Sequence, residues 1–255
     1  CRRPLRTPFT FLSIAVAFML FGLLEAMRNG FFGGAEFAGA DRTMTMHKMS
    51  IIQQLPRSYA ERIKSVPGVK VINIQSWFGG WYQNERTQLT TFATDPQTFF
   101  AVYPEYQLPE AQKRAWLADR TAIIVGKDVA ARFGWKVGDH IPLQQSIPYK
   151  RNGNTWDVTL VGIFDEKSNN GNIVRRHDYL AEGSPWSNDR IGWVVSRLDN
   201  PADLPRVASA IDALFANSST ETKTASEKTW VGDFAKQVGN IGAILSAVAF
   251  AVFFT

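Results

Sequence analysis

Residues Ala122–Gly126, with the sequence AIIVG, run directly into Lys127–Phe133, with the sequence KDVAARF, and then into Gly134. Five small or apolar residues that end at a glycine predict a short buried strand. The next segment has apolar residues at helical spacing and stops at a glycine, which is typical of a helix C-terminus. A turn and another strand follow within residues 135–143. This stretch predicts a fold in which helices and strands alternate.

Comparable patterns on both sides extend this prediction over most of the chain. A helix, a strand and a hairpin follow one another before the quoted stretch, and the order favours an α+β sandwich. Residues 96–118 are rich in Pro, Gln and Tyr, with two short helical turns, and are predicted to form an inserted lobe. The other predicted strands are 42–53, 69–74, 77–83, 88–94, 155–164 and 191–196, and the other predicted helices are 59–66 and 204–215.

Two uncharged runs, residues 7–24 and 238–255, bracket this polar middle. Eighteen helical residues rise about 27 Å, close to the ~30 Å of hydrocarbon in a bilayer, so each run is long enough to span a membrane. Arg2, Arg3 and Arg6 precede the first run. Because basic flanks are retained in the cytoplasm, these arginines predict a cytoplasmic N-terminus and an extracytoplasmic middle.

Each run has an alternative interpretation. The first resembles the start of a signal peptide, but its apolar stretch is long, and the A-x-A pattern at residues 38–40 lies far downstream. The second has the composition of a buried core helix. A chain that starts with Cys1 and stops within an apolar run is expected to be a piece of a longer protein, with further spans beyond it.

These boundaries predict an extracytoplasmic mixed α/β domain flanked by two transmembrane helices, the second of them truncated. The predicted divisions are a basic flank at 1–6, a first span at 7–27, a core domain at 28–223, a stalk helix at 224–237 and a second span at 238–255.

The stalk helix is predicted from Thr224 and Glu227, which have the T-x-x-E spacing of a capping box. Trp230 and Phe234 then follow at helical intervals. No helix-breaking residue separates them from the second apolar run, so we expect one continuous helix. A continuous helix transmits displacement, whereas a Gly/Ser-rich linker would absorb it.

Sequence motifs for catalysis are absent from the chain. It has no P-loop, no G-x-S-x-G, no H-E-x-x-H and no C-x-x-C, and its three histidines are scattered. We therefore predict neither an enzyme nor a cofactor or metal site. The formal net charge is +5, of which Arg2, Arg3 and Arg6 supply three, leaving +2 for the rest. We therefore expect no nucleic acid partner.

Aromatic side chains provide the candidates for partner binding. Eight tryptophans are many for this length, but those in strands are better explained as core residues. Tyr179 and Trp186 lie in residues 169–189, which read as a loop, and are the predicted contacts for a partner protein.

The order of these features resembles the permease subunits of ABC transporters of the FtsX/MacB type. The resemblance rests on Arg6-Thr7 before the first run, on residues 66–69 (VPGV), on residues 94–96 (TDP), and most specifically on residues 122–139, which resemble the family's V-x-G…G-D segment. Residues 158–164 are similar to its V-x-G-I/V strand.

The resemblance implies a MacB-like periplasmic core domain between the first two spans of a multi-pass protein of the bacterial inner membrane. It also implies a type VII transporter, in which a dimer of permeases couples ATP hydrolysis by a cytoplasmic ATPase to movement of the periplasmic domains. The expected partners are this ATPase, a second permease copy in a homo- or heterodimer, membrane lipid and a periplasmic protein. The alternatives are a scaffold that activates a cell-wall hydrolase, and a two-span sensor.

Overall fold

The computed structural model describes residues 41–145, 150–166 and 170–230, with Met19, Gly22, Gly39, Gly232 and Asp233 as isolated positions. Residues Gly39–Glu227 form one compact unit. Within the described residues no helix has both the length and the apolar character needed to cross a membrane. Both predicted spans lie outside these residues, except for Met19 and Gly22, which are helical.

The compact unit contains twelve strands and six α-helices within the described ranges. The strands are β1 (Arg42–His47), β2 (Leu55–Pro56), β3 (Val69–Trp77), β4 (Gly80–Tyr82), β5 (Gln88–Thr94), β6 (Ala122–Gly126), β7 (His140–Gln144), β8 (Thr155–Phe164), β9 (Asn172–Arg176), β10 (Arg190–Ile191), β11 (Trp193–Leu198) and β12 (Thr222–Ser226). The helices are α1 (Ser58–Lys64), α2 (Phe99–Val102), α3 (Glu110–Ala118), α4 (Lys127–Phe133), α5 (His177–Gly183) and α6 (Leu204–Phe215).

Ten strands form one sheet in the order β12-β1-β11-β3-β5-β4-β7-β8-β6-β9. Strand β9 also pairs in parallel with β5, so that part of the sheet closes on itself. The closed part is a six-stranded barrel of β5, β4, β7, β8, β6 and β9. The open part consists of β12, β1, β11 and β3, and it meets the barrel at β5.

The open part of the sheet buries one face under α1 and α6. The pattern of α6 explains its position, since Val207, Ile211 and Phe215 recur at helical spacing and are fully buried. The ring of Phe215 stacks on Tyr59 of α1, with 3.9 Å between the centroids. The two helices therefore form one layer over the sheet.

The barrel has a separate core of aliphatic and aromatic side chains. Strand β8 alternates buried and less buried residues over its whole length, with Trp156, Val158 and Leu160 facing inward. Phe78 lies edge-on to Trp156 at 5.6 Å. Two hydrophobic cores joined by one strand thus make up the unit.

The α+β class predicted from the sequence is confirmed, and several predicted bounds agree with the structure to the residue, namely those of β6, α4, β8 and α6. The segment 96–118 contains α2 and α3, which pack on β3, β6 and β8 within the same compact unit. The prediction of a loop at residues 169–189 is wrong, because β9 and α5 lie there.

Candidate functional site around Arg42

The two ends of the compact unit lie on neighbouring strands. Strands β1 and β12 are antiparallel, and Thr43 is the partner of Ser226. Arg42 begins β1 and Glu227 directly follows β12, so the register places these two residues side by side. Residues separated by 185 positions in the sequence thus meet where the chain enters and leaves the unit.

Arg42 joins three parts of the structure. Its Nε donates to Glu227 Oε2 at 2.6 Å, and its Nη2 pairs with Glu105 Oε1 at 2.7 Å. Its Nη1 also donates to the Val102 carbonyl oxygen at 3.2 Å. The guanidinium lies over the ring of Tyr103, 4.6 Å from the centroid, and Tyr103 donates its hydroxyl hydrogen to Glu227 Oε1 at 3.2 Å. We call Arg42, Tyr103, Glu105 and Glu227 the Arg42 cluster.

Burial and opposite charge together determine the electrostatics of the Arg42 cluster. The side chains of Arg42 and Glu227 are only 6% and 13% exposed. Burial alone would lower the pKa of Arg42, but the charges of Glu227 and Glu105 and the hydrogen bond to Glu105 raise it above its ordinary value. Burial and the charge of Glu227 raise the pKa of Tyr103, so its hydroxyl stays a donor. Arg42 therefore stays positively charged, and both carboxylates interact with this charge.

A second arginine anchors the same inserted segment. Arg197 on β11 is the cross-strand neighbour of Arg42. It pairs with Asp41 Oδ2 at 2.6 Å and donates to the Ala101 carbonyl oxygen at 3.1 Å. The carbonyls of Ala101 and Val102 end the short helix α2, where cationic donors are favourable. Two adjacent strands thereby hold this helix end.

Asp212 of α6 holds the outgoing strand from the other face. It accepts the hydroxyl hydrogens of Thr222 and Thr224, and its Oδ2 accepts from the backbone N–H of Thr224 at 2.9 Å. The hydroxyls of Thr224 and Thr45 are 2.9 Å apart. Strand β12 is an outer strand of the sheet, so Asp212 satisfies a backbone donor that no neighbouring strand can satisfy.

The structure gives Thr224 a different role from the predicted one. Thr224 lies inside β12 and donates to Asp212, so the prediction that it caps the stalk helix is wrong. Residues 227–230 are helical, which places Glu227 in the first turn and the half-buried Trp230 in the same helix. Phe234 lies outside the described residues, and the helix over 224–237 as a whole stays a prediction.

The remaining predicted residues do not meet at this site. Tyr179 is on α5, half-buried, and donates to the Asp157 carbonyl oxygen at 3.2 Å. Trp186 is in a 3-10 turn, Pro185–Ser187, and is 56% exposed. Their role in partner binding is still a prediction. Arg2, Arg3 and Arg6 lie outside the described residues.

Within the described ranges, no group of three His, Cys, Asp or Glu side chains is placed to hold a metal ion. The chemistry of the Arg42 cluster is that of a buried ionic joint between the entering strand, the inserted segment and the helix that follows β12.

A sequence profile of the MacB-like periplasmic core domain matches residues 10–214. The chain belongs to this family. A search of the curated proteins gave no match. The MacB-like family consists of periplasmic domains of ABC transporter permeases, so this chain carries the extracytoplasmic domain of a membrane protein of that kind. The resemblance inferred from the sequence is confirmed.

Solved structures of such domains share the fold of the MacB-like chain. One is the extracellular domain of the noncanonic ABC-type transporter YknZ from Gram-positive bacteria, with a TM-score of 0.54 and 13% identity over 72% of this chain and 99% of that one. Another is the periplasmic region of MacB from Actinobacillus actinomycetemcomitans, with a TM-score of 0.53 and 9% identity over 83% and 98% of the two chains. A third is a domain of a putative permease from Porphyromonas gingivalis, with a TM-score of 0.50 and 14% identity over 74% and 92%.

Of the Arg42 cluster, the sequence predicted a role for Glu227 alone, as part of a helix cap. Two features of the sequence could have indicated this cluster. They are the pair Asp41-Arg42 at the start of a strand and the carboxylate of Glu105 inside a segment predicted to be an insertion. What unites them is the pairing of β1 with β12, which depends on contacts between distant parts of the chain.

Proposed function

We propose that this MacB-like chain is the non-catalytic permease subunit of a type VII ABC transporter of the bacterial inner membrane. A cytoplasmic ATPase, separate or fused, hydrolyses ATP, and the permease converts that event into movement of the periplasmic domain. Two permease copies form the working unit, and the movement exports or extracts a substrate. The family membership supports a permease role, and the Arg42 cluster supports the mechanical part of the proposal.

The observation that carries the proposal is the contact of Arg42 with both Glu227 and Glu105. Arg42 lies on the strand that enters the unit, and Glu227 begins the helix that leaves it. A force applied to that helix is passed through the ionic joint to β1 and to the inserted segment. Because one guanidinium serves both carboxylates, these three elements are constrained to move together.

The strength of this joint follows from its burial. An ion pair on the surface contributes little, since water screens it and its side chains are free to separate. Arg42 is only 5% exposed. Separating it from Glu227 therefore leaves a buried charge without a partner of opposite charge, which typically costs about 3–5 kcal/mol. The third member, Glu105, is 31% exposed and makes a weaker contribution. The joint therefore resists opening more than an exposed pair would.

A distance measurement tests the proposal. The full-length permease, with every native cysteine replaced by Ser, receives a spin label at the exposed Glu85→Cys position and is assembled with its ATPase. We expect the label-to-label distance between two copies to change on ATP binding. In Arg42→Met, the fraction of molecules whose label-to-label distance changes on ATP binding should fall about tenfold, while ATP hydrolysis continues.

Arg197→Met is the matched control, because Arg197 is the neighbour of Arg42 but makes no contact with Glu227. This variant should keep the ATP-dependent change. An unaltered distance change in Arg42→Met would overturn the mechanical role of the cluster. If the intact protein neither binds nor stimulates any ATPase, the permease proposal itself fails.

A further inference from the structure

Arg175 is buried inside the closed barrel. It lies on β9, where its neighbours are Ala93 on β5 and Ile123 on β6. Ala93 and Ile123 belong to the barrel core, so the side chain of Arg175 shares their inward face. Its exposure is 0%, although arginine is almost never fully buried without a partner.

The guanidinium of Arg175 is surrounded by aromatic rings. Its Cζ is 3.9 Å from the centroid of Phe78, 4.5 Å from Trp156 and 5.2 Å from Tyr179. The faces of these rings attract a cation electrostatically. They offer no oxygen or nitrogen atom that could accept the N–H hydrogens of the guanidinium. Among the residues that the structure describes, Nε, Nη1 and Nη2 of Arg175 have no hydrogen-bond partner.

No described carboxylate offsets the charge at this place. Burial lowers the pKa of Arg175 to about 9, with only Tyr179 acting in the opposite direction. A second cation, Lys150, lies over the same indole, with its Nζ 5.3 Å from the centroid of Trp156. The fully buried guanidinium of Arg175 thus has neither a salt bridge nor a hydrogen bond within the described part of the chain, which is a costly arrangement for a cation.

Several buried groups of the barrel and of the chain next to it have a hydrogen to donate. The indole Nε1 of Trp156 is buried and has no hydrogen-bond partner in the described part of the chain. The same holds for the Thr91 hydroxyl, which shares the inward face of β5 with Ala93, and for the Ser184 hydroxyl just beyond α5. A guanidinium and an indole only donate, and a hydroxyl also has one hydrogen to give. What is missing is an acceptor with negative charge.

We propose that the barrel binds one small monovalent anion of the halide class at Arg175. A monatomic anion accepts hydrogen bonds from any direction and needs less space than a carboxylate or a phosphate. The guanidinium supplies charge-assisted hydrogen bonds, and the Trp156 indole supplies a further donor. The aromatic rings exclude water, which strengthens the attraction between the ion and the guanidinium. The anion would make the barrel interior electrically neutral.

The thermal unfolding midpoint of the full-length protein in detergent tests this proposal. Sodium chloride is varied against sodium gluconate at constant ionic strength, because gluconate is a much larger anion than chloride. An anion that binds only the folded state should raise the midpoint by about 4 °C for each tenfold increase in chloride above its dissociation constant. Crystals soaked in bromide should show an anomalous scattering peak at the Arg175 guanidinium.

Arg175→Met removes the charge and should abolish the chloride dependence. Arg132→Met is the matched control, because Arg132 also stacks on an aromatic ring, Phe133, but is exposed outside the barrel. If Arg175→Met does not fold, Trp156→Phe keeps a ring and loses the indole donor, and it should raise the half-effective chloride concentration several-fold. A chloride-independent midpoint in the wild type, or equal dependence in Arg175→Met, would overturn the proposal.

Discussion

His177, at the start of α5, has a buried imidazole whose protonation affects the stability of the whole unit. Its Nε2 lies 3.1 Å from Ser76 Oγ, and Ser76 Oγ already accepts the backbone N–H of Gly192 at 2.9 Å. The serine oxygen has a second lone pair as well as its own hydrogen, so either group can donate in this contact, and burial favours the neutral imidazole. Burial, with a smaller effect of the Arg57 charge, lowers the pKa of His177 to about 4.

This shift predicts a loss of stability on acidification. The unfolded chain binds a proton at His177 below pH about 6.5, whereas the folded chain does so only below about 4. The stabilisation is therefore complete above 6.5 and disappears as the pH falls towards 4, by about 2–3 kcal/mol between pH 7 and 4.5. Urea unfolding at several pH values measures it.

His177→Gln retains a hydrogen-bonding side chain and should flatten this part of the stability profile. His140→Gln, at an exposed position, is the control and should follow the wild type. A wild-type profile that is flat between pH 7 and 4.5 would contradict the neutral state of the buried imidazole.

For the helices and strands, the sequence predictions are accurate where the deciding residues are close together in the sequence. The bounds of α4 follow from local signals, since Gly126 precedes it and Gly134 ends it in the left-handed conformation at φ 68°. Strand β9 was missed because its residues NIVRR include two arginines, which are uncommon in a fully buried strand. Arg175 is accommodated by the barrel aromatics, and Arg176 by carbonyls in the last turn of α3 together with the nearby carboxylate of Asp178.

The Arg42 cluster was out of reach of sequence patterns for a related reason. The T-x-x-E spacing of Thr224 and Glu227 occurs in capping boxes, but it does not tell a helix start from a strand followed by a helix. Asp212, 12 residues upstream, decides between them by binding Thr224 as part of β12. Patterns within a few residues predicted most elements, whereas the contacts that join elements required the folded structure.

Gly126, at the junction of β6 and α4, is predicted to be sensitive to any added side chain. A Cβ at this position would clash with the backbone carbonyl of Asn170, which cannot move without displacing its chain segment. Gly126→Ala should therefore destabilise the protein by about 1–3 kcal/mol. Equilibrium denaturation measures the loss.

Gly134→Ala serves as a comparison of another kind, because a Cβ there meets no atom within 4 Å but the backbone has φ +68°. Its cost should come from backbone strain alone, about 1 kcal/mol. If Gly126→Ala is as stable as the wild type, the chain segment around Asn170 moves aside without an energetic cost, and the prediction is wrong.

The contact between α6 and β12 leads to a prediction about local opening. Asp212→Asn retains the shape of the side chain but loses its charge and one acceptor. We expect the Thr224 amide to exchange its hydrogen at least tenfold faster, since a hydrogen bond to a charged group contributes about 1.5–3 kcal/mol. Hydrogen exchange read by mass spectrometry on the 222–226 segment is the measurement.

Asp199→Asn is the control, because Asp199 is exposed and lies away from β12. It should leave exchange in β12 unchanged. Equal protection of Thr224 in the wild type and in Asp212→Asn would show that the carboxylate does not hold this strand.

For the whole molecule, the decisive feature is that β5 belongs to both parts of the sheet. It pairs with β3 on the open side and with β4 and β9 in the barrel. Neither core can lose β5 without exposing the other. A chain limited to residues 39–227 should therefore fold alone and unfold in one cooperative transition.

Tryptophan fluorescence and far-UV circular dichroism, followed through the same urea titration, test this prediction. The two curves should coincide, and a helix-side change such as Phe215→Ala should shift both equally. Two separate midpoints would mean that the open sheet and the barrel unfold independently.

The position of β1 between β11 and β12 has a consequence for biosynthesis. This strand is synthesised before the other strands of the unit, yet Arg197, the partner of Arg42, follows it by 155 residues, and Ser226, the partner of Thr43, follows by 183. Until then its edges stay unpaired and open to wrong partners. Closing a sheet over such a sequence separation is slow. During this time the nascent chain exposes an unpaired strand, and the Arg42 joint is among the last contacts to form.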